Sequence, residues 1–208
     1  MASSGKSHTR KHTPETTPLW GGALCLDFAN TVDWEEEQPL SDTDVIADGG
    51  EARRWGRRLG ALGSTAAPID DAELAALHGL REALHHAFSA LARGDRPAPA
   101  DLRRIQDDHC EAAGSGRLAP QGDPPAWRLA WPAREPRSLR LAIATDAIRL
   151  LEDAERVARV KRCAGRRCGW LFVDRSGRRR WCSMATCGSR TKMRRLYRRR
   201  RAARTQAA

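Results

Sequence analysis

Four cysteines constrain this chain more than any other feature. Cys163 and Cys168 are separated by four residues, Cys182 and Cys187 by four, and thirteen residues lie between the two pairs. Both short spacings fall in the range used by structural zinc sites, and two pairs joined by a folded spacer let four thiolates converge on a tetrahedron about 2.3 Å from the metal. Four sulfur ligands leave no open coordination position, so one ion held this way is structural rather than hydrolytic. The plain alternative is four reduced core cysteines without metal. Cys25 and Cys110 stand far apart in the sequence and read as small side chains with no ligand role.

The spacer suits a finger. Trp170 to Val173 is rich in strand formers, Asp174-Arg175-Ser176-Gly177 is turn-like, and Arg178 to Trp181 is expected to return antiparallel and bring Cys182 beside Cys168. Gly188 and Ser189 then offer a helix start, with Ser189 as N-cap, and the following run has no breaker. Met193, Leu196 and Tyr197 form an apolar stripe expected to pack on the finger, with Trp170 and Trp181 in the finger core. Knuckle, hairpin and helix together describe a treble-clef-like finger. A thiolate at the helix start is stabilised by the free N–H groups there, and the formal −2 of zinc with four thiolates is offset by Arg166, Arg167, Arg180 and Lys192.

The charge is divided unevenly. Residues 1–155 carry 18 basic and 25 acidic side chains, net −7, while residues 156–208 carry 19 basic and one acidic, net +18. Such a density repels itself unless phosphate or an anionic centre is near. Arg178, Arg179 and Arg180 on the hairpin, with Arg190, Lys192, Arg194, Arg195, Arg198, Arg199, Arg200 and Arg201 on the helix, are the candidate contacts to a nucleic acid backbone. The competing readings are a solvated basic tail and a helix that docks on the acidic part of its own chain. No aromatic RNA platform or GXXG loop is visible, so composition alone leaves DNA and RNA unseparated.

Before the cysteines the chain reads as a mainly helical domain with a few short strands, making the whole α+β: a tail at 1–18 expected to be disordered, a domain at 19–160, and the finger with its basic helix at 161–203. Leu24, Leu26 and Phe28 alternate and predict a half-buried strand, followed by an acidic loop and a helix near 51–60. Apolar residues at three- and four-residue steps from Ile69 to Leu91 predict a helix over 70–93 capped by Asp70; a second is expected over 99–113 with Leu102 and Ile105 inward. A strand pair is expected near 117–119 and 126–131. A long helix should follow, capped by Ser138, with Leu141, Ala144, Ile148, Leu151 and Ala158 as its stripe.

Asp27, Asn30 and Thr31 are candidates for a small-molecule pocket, set against the simpler reading in which they bond nearby backbone. His78, His85, His86 and His109 lack paired carboxylates or cysteines at ligand spacing and are read as ordinary surface or core histidines. No phosphate-binding glycine loop, nucleophile elbow or His-Glu metal motif is present, so no catalytic residue and no enzyme activity is expected. The absence of a long apolar run or signal-like N-terminus predicts a cytoplasmic protein without a membrane partner, where cysteines stay reduced.

The run Cys163-AGRR-Cys168-GWLFVDRSGRRRW-Cys182-SMAT-Cys187-GSRTK resembles the CGNR zinc finger, a mostly bacterial module named for the tetrapeptide at its last cysteine. Residues 187–190 read Cys-Gly-Ser-Arg, with Ser189 in place of the family asparagine. Leu26, Asp27, Phe28, Asn30 and Thr31 resemble the opening signature of the ABATE domain that commonly precedes this finger. The resemblance implies a stress-response transcription regulator that binds DNA in preference to RNA. It leaves room for a redox sensor that releases zinc when its thiolates are oxidised.

Overall fold

The three- and four-residue apolar spacing over 70–93 produces the longest helix of the computed structural model, which describes residues 12–35, 37–165 and 167–206, the side chains of 200–206 excepted. Helix α1 spans Leu24–Ala29, α2 Gly49–Arg58, α3 Asp71–Arg93, α4 Pro99–Ser115, α5 Ser138–Glu152, α6 Ala154–Val157 and α7 Ser189–Gln206. Strands β1 (Trp34–Glu35) and β2 (Gln38–Pro39), β3 (Arg117–Gln121) and β4 (Ala126–Ala130), and β5 (Val160–Arg162) and β6 (Leu171–Val173) form three antiparallel pairs. The expected α+β class, mainly helical with a few strands, is what is found. No described helix is long and apolar enough to cross a membrane.

Helix α3 starts as read from the sequence: the Asp70 carboxylate accepts from the Glu73 N–H at 2.8 Å, and Leu77, Leu80, Leu84 and Phe88 are fully buried. Helix α4 begins with Pro99 in its first turn and buries Ile105, while Leu102 stays 37% exposed, contrary to expectation. Its inward face is completed instead by Ala112 and Asp108. Arg140 of α5, almost fully buried, donates to Glu73 of α3 and to Asp108 and Glu111 of α4, so a charge-assisted network ties three helices together.

Several elements differ from their sequence reading. Residues 24–29 form a helix, not a strand, and all but Leu24 are buried. A segment surrounded by core on every side shows no polar face, so alternation over six residues carries no information about its period. Its N-terminus has no cap of its own; Asp146 of α5 accepts from the Cys25 N–H at 2.9 Å. Ser138 does not cap α5, since its hydroxyl donates to Glu135 O. The helix breaks at Asp153, whose side chain caps the short α6 through Arg156 N–H, so Ala158 leaves the stripe of α5.

Residues 1–11 of the expected tail lie outside the described residues. Residues 12–18 are held against the body: Thr17 is buried, and the Arg58 guanidinium donates to Pro14 O and Thr17 O at 3.0 and 2.7 Å. One continuous core then runs from Leu26, Phe28 and Trp55 through Leu84 and Ile143 to Val160, Leu171 and Val173. A second, smaller core holds the four cysteines with Trp170 and Phe172, flanked by Trp20 and Trp181. Because successive strand residues face opposite ways, Leu171 and Val173 enter the large core and Phe172 the small one. Strand β6 is the wall shared by both.

Candidate metal centre

Strand β6 pairs with β5, Val160 opposite Val173, and not with the segment after the turn, which forms no strand. The ladder extends to the first cysteine, where Cys163 N–H donates to Trp170 O at 2.8 Å. The returning segment is positioned by side chains instead. Buried Asp174 accepts from Ser176 N–H and hydroxyl, Arg179 N–H and the Lys161 ammonium; the Lys161 bond above all holds its pKa down to about 2. The Arg179 guanidinium lies 4.0 Å over the Phe172 ring and donates to Trp181 O and Cys182 O, which delivers Cys182 to the cluster.

All four cysteines are buried, and one ligand atom from each lies within 4.8 Å of the others. Sγ of Cys182 is 3.7 Å from that of Cys168 and 3.6 Å from that of Cys187. A tetrahedral zinc–thiolate centre with bonds of about 2.3 Å has sulfur–sulfur edges of about 3.8 Å, so the donor set matches in number, element and size. Cys163 Sγ accepts N–H bonds from Cys182 at 3.2 Å and Gly165 at 3.4 Å, as a thiolate ligand requires. Hydrogen bonding from the Cys168 thiol first, then Cys182 and Cys187, pushes the Cys163 thiol far down, while the same contacts push Cys168 far up. Four sulfurs this close cannot all be anionic without a cation among them.

Two glycines are demanded by this packing. A Cβ on Gly165 would lie 2.8 Å from Cys187 Sγ, and one on Gly169, where φ is +63°, would lie 2.5 Å from Trp34 Cβ. Cys187 arrives on a π turn, Met184–Gly188, that runs into α7. Ser189 is already helical and its hydroxyl donates back to Met184 O at 2.9 Å, so it fastens the turn and does not act as an N-cap.

The basic residues separate into two groups. Arg179 is committed to the finger, and Arg167 pairs with Glu35 at 3.0 Å. Arg178, Arg180, Arg190, Lys192, Arg194, Arg195, Arg198 and Arg199 are exposed and have no ion-pair partner among the described residues. The side chains of Arg200 and Arg201, and the whole of Arg166, lie outside the described residues. The expected stripe does not pack: Met193, Leu196 and Tyr197 are 63%, 42% and 73% exposed, because α7 projects beyond the finger after its first turn. Trp170 is buried as expected and Trp181 partly so, whereas Tyr197 is outside the finger core.

The three candidate pocket residues are buried and bonded to the protein itself. Asp27 accepts from Gly21 N–H at 2.7 Å, and burial raises its pKa to about 6. Thr31 donates to Phe28 O and accepts from Arg81, whose guanidinium also makes two bonds to Asp44. Asn30 bonds both backbone groups of Leu171 at 2.8 Å, joining the signature helix to the finger. Further ties are Val173 N–H to Gly21 O, Trp34 N–H to Cys168 O, and the buried His85 Nε2 at 3.0 Å from Gly169 O. His85 also stacks on Trp34 at 3.7 Å. No local signal in the sequence marks these contacts.

Of the remaining histidines, His78 Nε2 lies 3.0 Å from Ile46 O. Glu37 brings a carboxylate within 4.8 Å of ligand nitrogens of His85 and His86, a grouping the linear spacing did not show. Arg93 and Arg162 occupy the same carboxylate at 2.8 and 3.2 Å, and their charge opposes a second cation there.

A search of curated proteins finds no match. Comparison with protein-family models matches residues 159–200 to the CGNR zinc finger and residues 22–154 to ABATE, described as "Putative stress-induced transcription regulator". As the second match spans more than half of its 208 residues, the chain belongs to the ABATE family and carries a CGNR zinc finger after that domain.

Proposed function

We propose that the protein is a zinc-dependent nucleic-acid-binding regulator without enzymatic activity, in which Cys163, Cys168, Cys182 and Cys187 hold one structural zinc and the exposed cations of the finger and α7 contact phosphate. The observation that carries the reading is the pairing of a four-sulfur cluster of the right size with eight exposed cations between Arg178 and Arg199 that have no ion-pair partner among the described residues. Bound zinc supplies charge neutralisation and a cross-link between the knuckle, the turn and the start of α7. The chain's own residues do the rest. Arg178 and Arg180 are exposed on the segment that leads to Cys182, and Lys192 to Arg199 extend along the helix, so a polyanion can be followed over several phosphates. Membership of a family described as a transcription regulator supports DNA over RNA as the partner.

The test is duplex DNA binding titrated against salt, together with metal content, for the wild type and a Cys182→Ser/Cys187→Ser pair. One zinc per chain, and an affinity that falls about a thousandfold between 50 and 200 mM salt if about six phosphates are neutralised, is the expected result. Zinc without salt-dependent binding would sink the reading. A second reading, release of zinc on thiolate oxidation, is favoured by a narrow crevice that reaches Cys168, Cys182 and Cys187. Peroxide-dependent zinc loss at low oxidant separates it from a constitutive binder.

A further inference from the structure

One cavity of the protein has no lining residue in the finger. It is a cleft of about 700 Å³ between α5, the turn after α2 and the β3–β4 hairpin. That is the size of sites that enclose small organic molecules, roughly 300–1,000 Å³. Leu24, Leu59, Leu129 and Trp131 give it apolar walls.

Its charge is opposite in sign to that of the chain before it. Residues 1–155 are net −7, yet Arg128 and Arg149 of that stretch line the cleft together with Arg156 just after it, against a single carboxylate, Asp146. Arg128 and Arg149 make no side-chain hydrogen bond or ion pair with the described residues, and Arg156 only a long one, 3.4 Å, to Gly22 O. Asp146 is engaged by the Cys25 N–H. The hydroxyls of Ser138 and Thr145 in the wall donate to backbone carbonyls, so the charged hydrogen-bonding capacity left over is guanidinium, beside the neutral amide of Gln121. Guanidinium groups over apolar walls recognise carboxylate, sulfonate or phosphate attached to a ring or chain.

We propose that this cleft is a binding site for a small organic anion with an apolar body. The site goes beyond the nucleic-acid reading and does not depend on it. Leu24 and the Cys25–Asp146 bond place the start of α1 at the cleft, and Asn30, just past its end, grips strand β6. The occupant therefore touches the helix that holds the finger.

The experiment uses the full-length, zinc-loaded chain and two fluorescent probes, 8-anilinonaphthalene-1-sulfonate and its uncharged analogue N-phenyl-1-naphthylamine. Wild type is expected to saturate with one equivalent of the sulfonate. Arg128→Ala/Arg149→Ala, which removes no side-chain hydrogen bond or ion pair with the described residues, should weaken the sulfonate about tenfold and leave the neutral probe within about twofold. Ala142→Trp, which fills the cleft, should abolish both, with Ala61→Phe as a second filling variant and circular dichroism as the check on folding. Absence of saturable binding, a sulfonate affinity unchanged in the double arginine variant, or binding that persists in a folded cleft-filled variant would each overturn the proposal. Duplex binding by the same variants reports on the nucleic-acid reading separately.

Discussion

The side-chain amide of Asn30 acts as a strand partner for Leu171: its Nδ2 donates to Leu171 O and its Oδ1 accepts from Leu171 N–H, both at 2.8 Å across 141 residues of sequence. Asn30→Ala leaves two buried backbone groups unsatisfied, at a cost of about 2–4 kcal/mol in unfolding free energy. Urea denaturation, with far-UV dichroism as the probe, checks this. A change under 1 kcal/mol would mean that water replaces the amide.

The shared wall makes metal loss a global event. Since Leu171 and Val173 pack in the large core and Phe172 among the cysteines, chelation should lower hydrogen-exchange protection in α1 as well as in the finger. Protection loss confined to residues beyond Cys163, with α1 unchanged, would show that the large core holds without the cluster.

Gly165→Ala places a methyl group against Cys187 Sγ and Cys163 Sγ. The variant is expected to lose metal at least tenfold faster to a competing chelator, followed by colorimetric zinc release.

Arg179 and Arg194 should separate structure from binding. Arg179→Ala removes the cover of Phe172 and two carbonyl contacts, so it lowers the melting temperature, by roughly 1–3 kcal/mol of stability. Arg194→Ala/Arg195→Ala leaves melting and zinc content unchanged and reduces the salt slope of DNA binding by about 2.

Asp27 sets a pH dependence whose sign can be worked out. Its folded pKa of about 6 is raised above the ordinary carboxylate value by burial, so between about pH 4 and 6 the native state binds more protons than the unfolded chain. Stability from this group therefore falls as pH rises through that window and stays lower above it. Asp27→Asn keeps the acceptor for Gly21 N–H, and should gain about 1–3 kcal/mol relative to wild type at pH 7.5 but little at pH 4. Denaturation midpoints at both pH values check it.

The sequence alone determined what is written in local period and local chemistry. Helix α3 with its Asp70 cap, the β3–β4 pair, the cysteine spacing and the charge division all needed only neighbours a few residues away. Tertiary structure decided the elements that have no solvent face or whose partner is remote. Leu24–Ala29 is buried on every side, so its alternation could not distinguish helix from strand. Strand β6 chose β5, which precedes the cysteines, because that pairing lets Leu171 and Val173 complete the large core. Arg179 reads as one more phosphate contact until the Phe172 ring lies beneath it, and the Met193, Leu196 and Tyr197 stripe reads as core until α7 leaves the finger. Asn30 and Asp146 show the same limit: a polar side chain announces that it will be bonded, but only the packing of distant segments supplies the partner.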